Sequence, residues 1–118
     1  MAVLRLAIDQ EEPQLRISSG PQPDWLRVSG EIDAWNVETV RDALRAALLA
    51  PGDLHLDVSR LLFCDVTGIR AIVSAAAHLD GGSRIVLHGL DPQLQRVFGV
   101  VGWDGMPGLV IDANGVHN

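Results

Sequence analysis

The sequence predicts an α/β domain. It reads as a (βα) superhelical stack: a mixed, mostly parallel sheet of about five strands with helices mainly on one face. Three observations lead there. Period-two runs give way repeatedly to segments with apolar residues at helical spacing, and such alternation implies parallel strands joined by right-handed crossovers. The clearest strand, Leu54-His55-Leu56-Asp57-Val58-Ser59, alternates apolar and polar residues, whereas a strand buried on both faces reads as a continuous apolar run. The chain has 118 residues, 47% hydrophobic and 20% charged, which suits one globular domain whose core needs no staple. Crossovers of one hand stepping in one direction leave the helices on one side and the strands in sequence order. A doubly wound sheet carries helices on both faces and fits less well.

The elements follow in chain order. Leu4-Arg5-Leu6-Ala7-Ile8 alternates weakly and reads as a strand or an ordered arm within an N-terminal segment, 1–14. Asp9 to Pro13 is polar, ends in proline and reads as a turn. Leu15-Arg16-Ile17-Ser18 and Trp25-Leu26-Arg27-Val28-Ser29 alternate with period two on either side of the breaker Gly20-Pro21-Gln22-Pro23-Asp24, so they pair as a hairpin. Gly30-Glu31-Ile32-Asp33-Ala34 connects to a helix capped by Asn36, with Glu38 in its first turn and Val37, Val40, Leu44, Ala47 and Leu48 on its apolar side. Pro51-Gly52 ends it. After the strand from Leu54, Leu61-Leu62-Phe63 leads into a second helix whose apolar face is Ile69, Ile72, Val73, Ala76 and Ala77, stopping at Asp80-Gly81-Gly82. Arg84 to His88 is a strand. Asp91-Pro92 opens a third helix, cap followed by proline at the first position, with Leu94, Val97 and Phe98 inward. Gly102 to Gly108 is a loop, Leu109-Val110-Ile111 the last strand, and 112–118 a frayed tail. The core of the single domain thus spans about 15–111.

Composition narrows the function. Formal net charge is −6, and all nine cationic residues are arginine. An acidic chain without a basic cluster is a poor nucleic-acid binder, because affinity there comes largely from neutralising phosphates. No apolar run approaches the roughly 20 residues of a membrane helix. Ala2 to Ile8 is too short for a secretory signal and is broken by Arg5. One cysteine cannot form an internal disulfide, which fits a reducing compartment. The expectation is a cytoplasmic protein that binds neither membrane nor nucleic acid.

In an open parallel sheet, ligands and partners meet the loops after the strand C-termini. Those loops hold Gly30-Glu31-Ile32-Asp33, then Cys64-Asp65-Val66-Thr67-Gly68, then Gly89-Leu90-Asp91. Asp33 and Asp65 are therefore expected at one end of the fold, near the Thr67 hydroxyl. The plainest use of Thr67 or Asp65 is to cap the second helix, worth about 1 kcal/mol. Phe63 and Cys64 read as buried. Trp35, between Asp33 and Asn36, is either an exposed contact or part of the core; Trp25 reads as hairpin packing and Trp103 as a lid on the core. His55, His78, His88 and His117 have no metal-ligand spacing. No nucleophile–base pair, cofactor motif or GxxxxGK[ST] loop is visible.

Three stretches carry a family resemblance. "VSGEIDAWNVETVRDAL" resembles the first signature of the STAS domain family, a strand ending in Gly-Glu-Leu-Asp and running into helix one. "LHLDVSRLLFCDVTGIRAI" is similar to the second, a strand followed by an Asp-Ser-Ser-Gly loop entering helix two. "DPQLQRVFGVVGWD" looks like the third helix and the loop beyond it. The match covers roughly Leu15 to Ile111. The family includes bacterial anti-sigma-factor antagonists and cytoplasmic domains of sulfate transporters. The resemblance implies a non-enzymatic module without cofactor or metal, acting by partner switching in transcriptional stress responses. Its partner would be an anti-sigma factor that is also a Ser/Thr kinase of the GHKL type. The phosphoacceptor position matches Thr67 and the family's nearby aspartates match Asp33 and Asp65; the partner contact is expected over Asp33, Trp35, Asp65, Val66, Thr67, Gly68 and Arg70. Val66 replaces the family's first serine, and threonine its second. A C-terminal helix common in relatives is missing, which implies an apolar patch covered by a homodimer contact or by residues 2–8. The alternative implied by these departures is an unphosphorylated scaffold subunit of a signalling or transport assembly.

Overall fold

The computed structural model describes residues 9–12, 14–20, 22–79 and 81–112. The arm expected over Leu4–Ile8 and the tail beyond Asp112 lie outside the described residues. Ten short elements follow one another: β1 (Asp9–Glu12), β2 (Leu15–Ser19), β3 (Trp25–Ile32), α1 (Val37–Ala47), β4 (Leu54–Cys64), α2 (Val66–Ala77), β5 (Ile85–His88), α3 (Pro92–Val100), a 3-10 turn (Trp103–Gly105) and β6 (Leu109–Asp112). They build one sheet in the order β1-β2-β3-β4-β5-β6. The first three strands are antiparallel neighbours, and β3 through β6 are parallel. Sequence order across the parallel part is the one-directional stepping that the alternation predicts.

Three expectations are corrected. Asp9–Glu12, read as a turn, pairs with β2 and brings the sheet of about five expected strands to six. Backbone pairing to a formed strand overrides a composition poor in β-formers, and an acidic edge sequence discourages further strand addition. β4 continues past Ser59 to Cys64, and its register against β3 shifts between Arg27 and Ser29 and again between Gly30 and Glu31. Those irregularities are why Leu61-Leu62-Phe63 does not continue a simple alternation. Asp112, assigned to the tail, is the last residue of β6.

The core lies between the sheet and the helices. Leu26, Ile32, Leu54, Leu56, Ile85 and Leu87 point into it from the strands, and Leu44, Ile69, Ile72, Val73 and Phe98 from the helices. Ala77, counted on the apolar face of α2, is exposed. On β4 the alternate residues His55 and Asp57 stay half-exposed, as a sheet covered on one side requires. Trp103 packs edge-on to Phe98 at 6.5 Å and closes that end of the core. Two glycines permit close approaches. Gly30 adopts φ 98° where β3 meets the residue before β2. Gly68 brings the first turn of α2 down on the sheet: a Cβ there would sit 2.6 Å from both Cys64 Sγ and Ile32 Cγ2.

Candidate functional site

The C-terminal ends of β3 and β4 place two loops side by side. The Asp65 amide donates to the Ile32 carbonyl at 3.1 Å, tying the second loop to the end of β3. Each loop is organised by an aspartate. In the β3–α1 loop, Asp33 Oδ1 accepts from the Trp35 amide (2.9 Å) and the Asn36 amide (3.2 Å). Asn36 does not cap α1 as expected; its side chain makes no cap hydrogen bond. It turns back instead, accepting from the Asp33 amide and donating to the Glu31 carbonyl, each at 2.9 Å. The buried position of Asn36 explains this, since both of its polar ends find backbone partners inside the loop. Nothing holds the neighbouring indole, and Trp35 is 95% exposed.

In the β4–α2 loop, Asp65 is the N-cap of α2. Its Oδ1 accepts from the Thr67 amide (3.0 Å), the Gly68 amide (3.2 Å) and the Thr67 hydroxyl (2.5 Å). The Thr67 hydroxyl is the main reason the Asp65 carboxyl titrates below its ordinary value. Partial burial opposes it, and the amides of Gly68, Thr67 and Ala34 add to the lowering. Thr67 itself is half-exposed in the first turn of α2. The next residue, Gly68, is buried; it contributes an amide to the cap and the close packing described above. Arg70 is exposed one turn into α2. Cys64 is buried as expected, and burial pushes its thiol up to about 12, so it stays protonated and unreactive at neutral pH.

An apolar rim surrounds this pair of loops. Leu62 is 82% exposed, Phe63 51% and Val66 50%. Phe63 was expected in the core; the shift of register beside it turns it outward. With Trp35, four large apolar side chains from the end of β4 and the two loops are thus exposed. Leu62 and Phe63 had no signal in simple alternation, and only the bulge reveals them. Of the residues singled out from sequence, the structure brings Asp33, Trp35, Asp65, Val66 and Thr67 to one end.

Several other polar groups among the described residues are used elsewhere. Asp57 accepts from the Ser59 amide and hydroxyl and pairs with Arg27 on the helix-free face. A cavity of about 500 Å³ opens between α1 and α2, lined by residues such as Arg41, Leu44, Ala71, Ser74 and His78 and by none of the loop acids. Among the described residues no group of three or more His, Cys, Asp or Glu could hold a metal ion. No helix among them is long and apolar enough to cross a membrane. Trp25, expected to pack within the hairpin, stacks instead on His55 and His88.

Fold and site together define a class: a small α/β domain whose β3–α1 and β4–α2 loops lie side by side at one end of the sheet, the second carrying a helix-capping aspartate bonded to an alcohol. The chain belongs to the STAS family, since the family model described as "Mlab, STAS domain" matches residues 7–112. Solved structures agree on the fold. An anti-sigma factor antagonist from Mycobacterium paratuberculosis superposes with TM-score 0.62 at 20% identity, covering 92% of this chain and 87% of that one. The anti-sigma factor antagonist SpoIIAA in its unphosphorylated form gives 0.60 at 19% identity, over 85% and 90%. The Bacillus cell fate determinant SpoIIAA in its phosphorylated form gives 0.56 at 19% identity, over 84% and 91%. No curated protein matches the chain in sequence.

Proposed function

We propose that this STAS domain is an anti-sigma-factor antagonist: a non-catalytic, cytoplasmic module that docks a kinase-type anti-sigma factor and is released when Thr67 is phosphorylated. The observation that carries this reading is the half-exposed Thr67 in the first turn of α2, at the sheet end where Trp35, Leu62, Phe63 and Val66 are exposed. Large apolar side chains left in water mark a surface meant to be covered, and tryptophan is a favoured anchor at protein interfaces. Similarity to structures of an antagonist in unphosphorylated and phosphorylated forms supports it.

The unmodified loop presents a neutral hydroxyl and an apolar rim to the anti-sigma factor. Docking there occupies the factor and frees the sigma subunit. Phosphorylation adds a charge of about −1.5 to −2 and three oxygens. The hydroxyl proton that bonded Asp65 is lost, so carboxylate and phosphate confront each other. The N-terminus of α2 tolerates the added anion within the domain, whereas an interface shaped for threonine does not. Asp33, Asp65 and Arg70 flank the contact, and Gly68 lets α2 sit low enough to present it. The test is incubation of the domain with ATP and its cognate anti-sigma kinase, read by intact mass and peptide mapping. A single phosphate on Thr67 is expected; an unmodified Thr67 in the presence of a bound, active kinase overturns the switch.

Two observations favour a second reading. The Thr67 hydroxyl is already committed to Asp65 at 2.5 Å, and Val66 stands exposed where relatives have a serine. Both suit an unphosphorylated scaffold subunit of a larger assembly. Binding that is indifferent to phosphate at Thr67 would select it.

A further inference from the structure

The helix-free face of the sheet holds a titratable cluster that the proposed switch does not use. His55 Nδ1 lies 2.8 Å from His88 Nε2, and His88 Nδ1 lies 2.9 Å from a carboxylate oxygen of Asp112. The outer nitrogen of His55, Nε2, faces Asp24 at 3.7 Å. The Trp25 indole stacks on both rings, with centroids 5.0 Å from His55 and 4.4 Å from His88. Strand register explains the assembly, since Trp25 pairs with His55 across β3 and β4, and His88 with Asp112 across β5 and β6.

Hydrogen-bond chemistry fixes where the protons sit. A carboxylate only accepts, so His88 carries a proton on Nδ1. Neutral His88 then accepts at Nε2, so His55 donates from Nδ1. That leaves His55 Nε2 bare, an acceptor facing the acceptor Asp24. One added proton completes the row from Asp24 through both rings to Asp112, with a single proton in each of the three gaps. Interacting groups of this kind bind protons as a pair rather than one by one. A second added proton breaks the bond between the rings and sets two imidazolium ions 2.8 Å apart. Neighbouring charged groups among the described residues are paired with each other: Asp53 binds Arg84 at 3.0 Å, and Asp57, in register with His88, pairs with Arg27 at 3.6 Å. Asp24 and Asp112 stand in line with the two rings.

We propose that His55 and His88 form a single one-proton latch, which adds a side-chain bond from His55 to Asp24 when the pair is charged, tightening the turn beyond the backbone bond from the His55 amide to the Asp24 carbonyl (2.8 Å), and gives that side-chain bond up when the pair is neutral. Histidine changes charge between about pH 5 and 8, the range to examine. The first experiment is proton uptake by the full chain across that range, wild type against His88→Gln. A lone His55 still binds one proton, so the latch predicts equal uptake; a loss of one proton in the variant overturns it. The wild type alone supplies the second measurement, imidazole nitrogen chemical shifts over the same range. His55 and His88 should move together in one transition while His88 Nδ1 stays protonated. Two separate imidazolium signals overturn the pairing. The latch itself is read from amide exchange at Trp25, whose N–H bonds the Gln22 carbonyl at 3.1 Å. Protection should rise several-fold on acidification in the wild type and stay flat in Asp24→Asn; a flat wild type removes the latch.

Discussion

The loops entering α1 and α2 start from the same materials and end with opposite outward faces. Each follows a parallel strand, and each winds its amides around one aspartate. In the β3–α1 loop every polar group named above finds a partner within the loop: Asp33 takes two amides, and buried Asn36 returns bonds to Asp33 and Glu31. What remains to face outward is an indole. In the β4–α2 loop the aspartate also holds a side-chain hydroxyl, so what faces outward there is a group that chemistry can alter. The first loop thus presents an exposed indole and the second an alcohol bonded to its aspartate. The comparison teaches that a shared Asp-centred turn does not set the role; the residue two places beyond the aspartate does.

The largest expected effect breaks the second loop's role. Thr67→Glu places a permanent anion at the centre of the apolar rim and should weaken anti-sigma binding by about 3 kcal/mol, more than about a hundredfold. Thr67→Ala should bind constitutively, and both should fold, because the anion sits at a helix N-terminus. Calorimetry against the cognate factor measures the difference, and equal affinities would falsify the switch. The next effect tests the anchor. Trp35→Ala should cost about 2 kcal/mol of binding and leave the urea midpoint unmoved, since a side chain 95% exposed contributes little to the fold. A matched loss of stability and affinity would show instead that Trp35 supports the loop.

Smaller still is the cap. Asp65→Ala removes the acceptor for two amides and a hydroxyl at the head of α2, and should lower unfolding free energy by about 1 kcal/mol. Asp65→Asn should recover most of that loss. Chemical denaturation at neutral pH distinguishes the two variants, and equal stability of alanine and aspartate at this position would remove the cap from the account.

How much of this was legible in the sequence depends on whether the signal was periodic. The helices, the parallel order and the meeting of Asp33, Asp65 and Thr67 follow from spacing, because period and crossover direction are global properties. The strand at Asp9–Glu12 was hidden, since its existence depends on β2 being there to pair with rather than on its own residues. Leu62 and Phe63 were hidden by register shifts that no alternation encodes. Asn36 looked like a cap because caps and loop braces use the same residue types; burial decides between them, and burial is tertiary. His55 and His88 are 33 positions apart in sequence, and only the pairing of β4 with β5 makes them neighbours.

The smallest effect sharpens the comparison most directly, because it isolates the one bond that the first loop lacks. The Asp65 carboxyl is lowered below its ordinary value chiefly by the Thr67 hydroxyl. A depressed carboxylate contributes stability that is present above the unfolded-state value of about 3.9 and is lost as pH falls through the lower folded value. In Thr67→Ala the two amide bonds remain but the hydroxyl is gone. The Asp65 titration should therefore move back up toward 3.8, and the variant should lose its cap contribution earlier on acidification. The stability difference between wild type and variant should be fully present near neutrality and vanish in strong acid. Carboxyl carbon shifts of Asp65, followed from pH 7 down to about 2, check this without any partner. If the Asp65 titration is the same with and without the hydroxyl, the 2.5 Å contact does no electrostatic work, and the loops differ in shape alone.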